Sequence, residues 1–492
     1  MKVLMVYPEY PVTFWSFSYA LKFISKKAAY PPLGLLTVAA MLPPEWPVRL
    51  VDMNVERLTD DAILWADTVM VSAMLIQQPS VEVVLQRCRR LARPVIAGGP
   101  LFNSLAEEYR GRVEHLVLNE AELTLPMLLR DLAAGSAQAE YRSGAFADLG
   151  LTPVPRWDLI QVKKYATVMI QASRGCPFDC EFCDITALYG RVPRVKSALQ
   201  LLAELDAIHQ LGYRGNLFFV DDNFIGNKHK IKQILPEVIQ WMRRRDYPFT
   251  LLTEASINLA DDDELIELMG EAGFDTVFIG IETPNEASLR ECSKSQNCRR
   301  DLLASVEKLQ RAGFHVLGGY IVGFDHDDVG IFGRQIRFIQ ESGVVTAMVG
   351  LLNALPGTRL WQRLSRERRI GAATSGDNTD GTINFIPKMD LEVLLAGYRH
   401  VVRTIYSPRQ YYRRVSRFLE KYRPRRKHPL HWRDLKAFLK TLFYLGVLGN
   451  GASQWYYWKM LVKSLILYRG SMPEAITLMV YGHHFRKVAR RL

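Results

Sequence analysis

Cysteine is scarce, six in 492 residues, and three of the six, Cys88, Cys292 and Cys298, stand alone. That count and scatter exclude a secreted disulfide framework. No uninterrupted apolar run reaches the roughly eighteen residues of a membrane span. The N-terminus, MKVLMVYPEYP, has only a short apolar run before prolines and an acid. It lacks the basic region, long apolar region and cleavage site of a signal peptide. Repeats and low-complexity tracts are also missing. A reducing cytoplasm fits these absences. Hydrophobic content of 48% excludes wholesale disorder, and the length predicts two or three domains. Acidic residues are few in the last fifth. From Lys388 onward, 22 Lys/Arg face 5 Asp/Glu, a net +17, so the rest of a chain at +12 carries −5. The basic tail therefore needs its own explanation.

What is present is an α/β pattern. Over residues 1–135, apolar runs such as KVLMVYP, VRLVDMN, DTVMVSAM and PVIAGGP alternate with helical segments. This predicts a doubly wound, Rossmann-like parallel sheet. Functional loops in such sheets lie at the carboxyl ends of strands. Residues 136–160 hold no clear period and read as a linker. From 161 to 370 a second series follows: YATVMIQAS, GNLFFVDDN, FTLLTEAS, TVFIGIE, HVLGGYIVGF and VVTAMVGLLNALPG. Six β/α units are too few for a closed eight-stranded barrel, so a partial (β/α)6 barrel is expected. Residues 371–492 begin with a polar loop, GAATSGDNTDGT, and continue as a helical, basic, aromatic domain.

The other three cysteines sit together in RGCPFDCEFCDI, residues 174–185, as Cys176-x3-Cys180-x2-Cys183. Thiolates this close on one loop can converge on one metal centre. Three of them on a four-iron cube leave one iron open to bind a small molecule. A zinc site would need a fourth ligand, and none lies nearby in sequence; a distant one stays open.

At these residues the chain resembles the radical S-adenosylmethionine (SAM) superfamily, which places such a motif after the first strand of a partial barrel with an aromatic residue, here Phe182, before the last cysteine. The resemblance implies a [4Fe-4S] cluster held by Cys176, Cys180 and Cys183, with SAM chelating the open iron. Reductive cleavage of SAM then yields a 5′-deoxyadenosyl radical that abstracts hydrogen. It further implies SAM contacts at later strand ends: Asp221, Asp222 and Asn223 for the amino group, Glu254, Ser256 and Glu282 for the ribose or methionine part, and Ile321 and Gly323 beside adenine. An electron donor such as flavodoxin or ferredoxin is expected.

The preceding domain resembles that of the cobalamin (B12)-binding branch. The matching segments are YPPLGLL (30–36), Ser72-Ala73-Met74, Gly98-Gly99-Pro100 and Asn119-Glu120. A flat corrin needs close backbone approach, which glycine permits. NEAE departs from the Gly-Glu-Gly-Glu form usual there. The Asp-x-His-x-x-Gly motif of histidine-ligated cobalt is absent, and His115 falls inside a strand pattern, so cobalamin would not be held by histidine. A domain that has lost cobalamin and only supports the barrel is the alternative.

Three readings of the tail stay open: a helical domain packed on the barrel, a platform at the inner membrane surface or for a lipid substrate, and nucleic-acid binding, which ranks last. Taken whole, the chain resembles a bacterial group that includes hopanoid-lipid methylases. The implied activity is cobalamin-dependent methylation of an unactivated carbon on a hydrophobic small molecule. The alternatives are a rearrangement or cyclisation without methyl transfer, and a metal-dependent membrane- or nucleic-acid-binding protein without turnover.

Overall fold

The computed structural model describes residues 1–371, 374–377, 380–426, 432–449 and 451–492. The polar loop read at 371–382 and the basic run at 422–429 thus lie partly outside the described residues.

Six parallel strands form the first sheet: β1 (Val3–Tyr7), β2 (Val48–Asp52), β3 (Thr68–Ser72), β4 (Val95–Gly98), β5 (His115–Val117) and β6 (Glu140–Tyr141), in the order 2-1-3-4-5-6. The run Val3 to Val6 is fully buried because helices cover both faces. Alternate side chains divide between two cores, Val3 and Met5 in one, Leu4 and Val6 in the other. His115 is buried in β5, with Nδ1 2.6 Å from the Gln138 carbonyl. The segment 136–160, read as a linker, contributes β6 and buries Ala147 and Trp157. A two-residue strand is too short to leave a period, so its pairing could not be read.

The second sheet holds β7 (Thr167–Ile170), and then, after a small ribbon of β8 (Ser173–Arg174) and β9 (Arg194–Val195), β10 (Gly215–Phe219), β11 (Phe249–Ala255), β12 (Phe274–Glu282), β13 (His315–Val322) and β14 (Ala347–Leu351). Its order, 14-13-12-11-10-7, is all parallel, the expected six-stranded partial barrel. The cysteine loop hangs from the antiparallel β8–β9 ribbon.

Helices Leu391–Ile405, Pro408–Lys421, Trp432–Thr441, Gly451–Leu467 and Met472–Ala489 form the basic C-terminal region. Among the described residues no helix is long and apolar enough to cross a membrane. The last helix packs on the loop after β1, where Phe14 and Phe485 lie 5.5 Å apart. His484, fully buried there, lies with Nε2 3.0 Å from the Phe14 carbonyl, while Nδ1 accepts from the Tyr19 amide at 3.4 Å. That arrangement suits a neutral ring, and burial lowers its pKa to about 4. The unfolded chain therefore binds the extra proton first. Stability should be whole above pH ~6.5 and fall as pH drops toward 4, by about 3 kcal/mol from this residue. Urea midpoints across that range should fall more steeply for the wild type than for His484→Gln.

Candidate functional site

All six cysteines are free thiols. The loop bearing three of them starts at Gly175, whose φ of +96° and three carbonyl neighbours, those of Tyr189, Gly190 and Val192 at 3.1–3.2 Å from where a Cβ would stand, require glycine. Asn223 Nδ2 donates to Cys176 Sγ at 3.7 Å, and Gln296 Nε2 to Cys180 Sγ at 3.8 Å. Burial pushes the Cys176 and Cys183 thiols up. Beside them Lys294 donates to Glu282 Oε1 at 2.7 Å. Burial opposes the Lys294 charge, but Glu282 and the Cys180 and Cys183 sulfurs outweigh it and hold its pKa above the ordinary value. The loop offers three thiols, and later segments bring two amide donors to sulfur, Asn223 and Gln296, and one cation, Lys294. Among the described residues no three His, Cys, Asp or Glu converge around a single-ion point. A cube that gives each thiolate its own iron spreads its ligands more widely than one tetrahedral ion does, and this donor set fits it.

The strand-end acids divide by role. The carboxylate of Asp221, 1% exposed, accepts from the Ala172 and Ser173 amides, and that of Asp222 accepts from the Gly175 amide at 2.8 Å. Both acids therefore brace the backbone that leads into the cysteines, where direct ligand contact was expected of them. Asn223 hydrogen-bonds Ser256 as well as Cys176. Glu254 faces the barrel lumen, and its carboxylate makes no hydrogen bond among the described residues. Desolvation, reinforced by the neighbouring acids, pushes Asp221 to about 7, Asp222 to about 6 and Glu254 to about 8. Asp221 is buried and Asp222 and Glu254 are half-buried, and a cation bound beside them would favour their charged forms. Glu282, expected beside the ribose or methionine part, pairs with Lys294. Phe182 and Ile321 pack on a cluster with Cys292 and Phe324, and Gly323, at φ +107°, adjoins it.

Ser72, Ala73, Met74, Gly98, Gly99, Pro100 and Asn119 lie together at the carboxyl ends of β3, β4 and β5. Here the glycines answer a nearer demand than a ligand: a Cβ on Gly98 would stand 2.7 Å from the Val117 carbonyl, and one on Gly99 2.5 Å from Ser72 Oγ. Met74 is half exposed and accepts from the Tyr10 hydroxyl at 3.2 Å. Asn119 Oδ1 is buried without a partner among the described residues. That orphaned acceptor and the open Met74 edge suit a polar-rimmed flat ligand. Glu120 does not belong to it. Its carboxylate pairs with Arg174 at 3.0 Å and Arg194 at 2.7 Å and accepts from the Ala147 amide. Arg174 also holds Glu122 at 3.0 Å. These pairs join the first sheet to the ribbon carrying the cysteine loop. Arg174 stands in the quoted motif, and its role was missed, as were those of Lys294 and Gln296, which no local pattern marks.

Residues 170–331 match the radical SAM superfamily, and residues 358–492 match a domain of unknown function (DUF4070). An uncharacterised methyltransferase of Synechocystis sp. is 39% identical, over 100% of this chain and 93% of its own length. The hopanoid C-2 methylase of Rhodopseudomonas palustris is 34% identical, over 99% and 94%. Among solved structures, the cobalamin-dependent SAM radical enzyme OxsB aligns with a TM-score of 0.63 at 15% identity, covering 100% of this chain and 80% of that one, a likeness of fold.

Proposed function

Since the chain belongs to the radical SAM superfamily, in the group that contains the hopanoid C-2 methylase, we propose that it methylates an unactivated carbon of a hydrophobic, lipid-like small molecule, with cobalamin as methyl carrier. The observation that carries this reading is the loop of three free cysteines set under acid-lined strand ends and tied by Arg174 to the first domain. Cys176, Cys180 and Cys183 would hold the cluster, and the Met74, Gly99 and Asn119 edge would hold the corrin. When bound, cluster and SAM supply a one-electron route to hydrogen abstraction, and cobalamin supplies the methyl group. Glu254, whose carboxylate makes no hydrogen bond among the described residues, offers the cationic end of SAM a charge partner. Asn223 and Ser256 fix each other on the cysteine side, and the Phe182–Ile321 patch supplies an apolar seat for adenine. Lys294 balances negative charge at the thiolates, while Asp221 and Asp222 keep the loop in place. A one-electron donor of the flavodoxin or ferredoxin class would complete the system.

The test is turnover with SAM carrying an isotope in its methyl group, after anaerobic reconstitution. Product bearing the label is expected. Product lacking it would leave rearrangement or cyclisation instead.

The tail supports a membrane-surface location. Trp432 is 75% exposed, and Phe443, Val447, Trp455 and Ile466 are also exposed, interleaved with Lys436, Lys440, Lys459 and Lys463. Such a face suits an anionic bilayer interface. Sedimentation with phosphatidylglycerol vesicles should fall at least about tenfold in a Trp432→Glu, Trp455→Glu double variant, since two indoles leave the interface.

A further inference from the structure

Two acids stand inside the cysteine motif, Asp179 and Glu181, and each is met by an arginine, 180 and 182 residues further on. Both arginines belong to the helix Arg359–Arg366, capped by Thr358, whose hydroxyl accepts from the Trp361 amide at 3.1 Å. Residues four apart share one face of a helix. RLWQRLSR therefore sets Leu360 and Leu364 on one stripe, with Arg359 and Arg363 on the stripe beside it. The leucines are buried in a cluster with Phe324 and Cys292, and Phe182 of the motif packs against it. Arg359 donates to the Asp179 carboxylate at 2.8 Å and to its carbonyl at 3.2 Å. Arg363 takes both carboxylate oxygens of Glu181, at 2.7 and 3.1 Å. Between them the Leu360 amide, one of the unpaired donors of the helix's first turn, donates to the Glu181 carbonyl at 2.9 Å. From the other side the Glu181 amide donates to the Cys292 carbonyl at 2.8 Å. Residues 179–182, which carry Cys180 and lead into Cys183, are thus held on two sides.

Arg363 touches four carboxylates, and they do not depend on it equally. Asp325, 2.9 Å away, also pairs with Arg369 at 2.6 Å. Glu291, 3.5 Å away, also accepts from the Asp325 and His326 amides at 3.1 and 3.0 Å. Glu367 is partly exposed and has Arg369 at 2.8 Å. Glu181, 9% exposed, has no other side-chain partner among the described residues. Losing Arg363 would therefore strand the one acid that belongs to the motif. A guanidinium engaging both oxygens of a buried carboxylate fixes orientation as well as charge, whereas an ammonium supplies only charge. The helix that does this opens the segment 358–492, whose family match has no known function, while the motif lies in the barrel's own match.

We propose that the helix Arg359–Arg366 is a clamp on the iron–sulfur loop, with Arg363, acting through Glu181, as a positioning residue for Cys180 and Cys183. The proposal rests on the reading of the three cysteines as cluster ligands. It adds that their loop is complete only with a helix that follows the last barrel strand, which gives the start of the C-terminal domain a task. Without Arg363 the loop loses the fork that orients it and keeps a buried negative charge. Added negative charge disfavours the reduced cluster, so two effects separate: iron retention follows the fork, and reduction potential follows the charge.

The test uses the full chain after anaerobic reconstitution and reads two quantities. One is the rate at which bathophenanthroline strips iron; the other is the cluster's midpoint in a redox titration followed by electron paramagnetic resonance. In Arg363→Met, iron should be lost about 10–100-fold more readily. Its reduction equilibrium should fall about tenfold, which is about 59 mV for one electron. Arg363→Lys, with charge but no fork, should lose iron faster than wild type at an unshifted midpoint. Adding Glu181→Gln to Arg363→Met should restore the midpoint and leave the iron loss fast. Arg369→Met, which removes contacts to Asp325 and Glu367 but none to the motif, should match the wild type in both. Thermal midpoints show which variants fold, and Arg363→Lys decides the matter if Arg363→Met does not. Iron loss equal to wild type in either folded Arg363 variant, the same loss in Arg369→Met, or retention restored by Glu181→Gln would each overturn the clamp alone. A wild-type chain that takes up no cluster would instead sink the cysteine reading on which the clamp rests.

Discussion

Cys176→Ala should leave the chain folded but unable to hold its cluster: iron per chain after anaerobic reconstitution falls to background, and with it the formation of 5′-deoxyadenosine from SAM. The same holds for Cys180→Ala and Cys183→Ala, since each thiolate would anchor its own iron and the loop carries no spare thiol. Cys292 is buried close to Cys180, but its thiol donates to the Leu289 carbonyl and burial raises its pKa, so it is a poor substitute. A full iron–sulfur complement in any of the three variants would overturn the cluster assignment. Milder changes are expected one layer out. Asn223→Leu removes an amide donor to Cys176 and the brace on Ser256 together. Losses at such supporting positions run about 10–100-fold in metal affinity or activity. Iron retention measured against a chelator distinguishes the two layers.

Arg174→Met should cost more stability than any other single change at the domain joint. Arg174 is 11% exposed and faces Glu120 and Glu122, whose side chains are 1% and 4% exposed. Burial alone would raise both carboxyl pKa values, yet the arginines hold them below the ordinary range. Without Arg174 the two acids keep, among the described residues, only Arg194 and Thr152 as side-chain partners. Breaking a buried pair by removing one member typically costs about 3–5 kcal/mol, because a charge stays behind uncompensated. Denaturant midpoints should fall accordingly. Adding Glu122→Gln to Arg174→Met should recover part of the loss, since the stranded charge is then gone. Full additivity of the two changes would show that the acids do not depend on this arginine. Arg174 is also two residues from Cys176, so reconstituted iron should drop in the single variant and recover partly in the double.

How much of this could be read along the chain differs by element. Both sheets were legible because parallel strands buried on two faces are continuous apolar runs, and VLMV or TVFIGIE needs no partner to be recognised. The cysteine loop was legible because its three ligands lie within eight positions, a local pattern whose spacing carries its chemistry. β6 was not, because two residues leave no period, and its pairing with β5 depends on where the chain returns.

The acids show the limit most clearly. Asp221, Glu254 and Glu282 look alike in sequence, each near a strand end. Folding gives Asp221 to the amides before the cysteines, Glu282 to Lys294, and leaves Glu254 facing the lumen. Glu120 was expected at a ligand and instead joins two domains, because Arg174 and Arg194, 54 and 74 residues away, converge on it. The glycines at 98 and 99 were legible as sites of close approach, but what approaches them, Val117 and Ser72, is known only once the strands are side by side.

By itself, then, the sequence determined the two parallel sheets, the order of the domains and the three thiols, since each is written in neighbouring residues. The tertiary structure alone decided which acids are free, how the first domain is fastened to the cysteine loop, and that a helix from beyond the barrel closes on that loop. Those depend on register between strands that are far apart in the chain, where a shift of one residue would exchange every lumen side chain for one facing the helices.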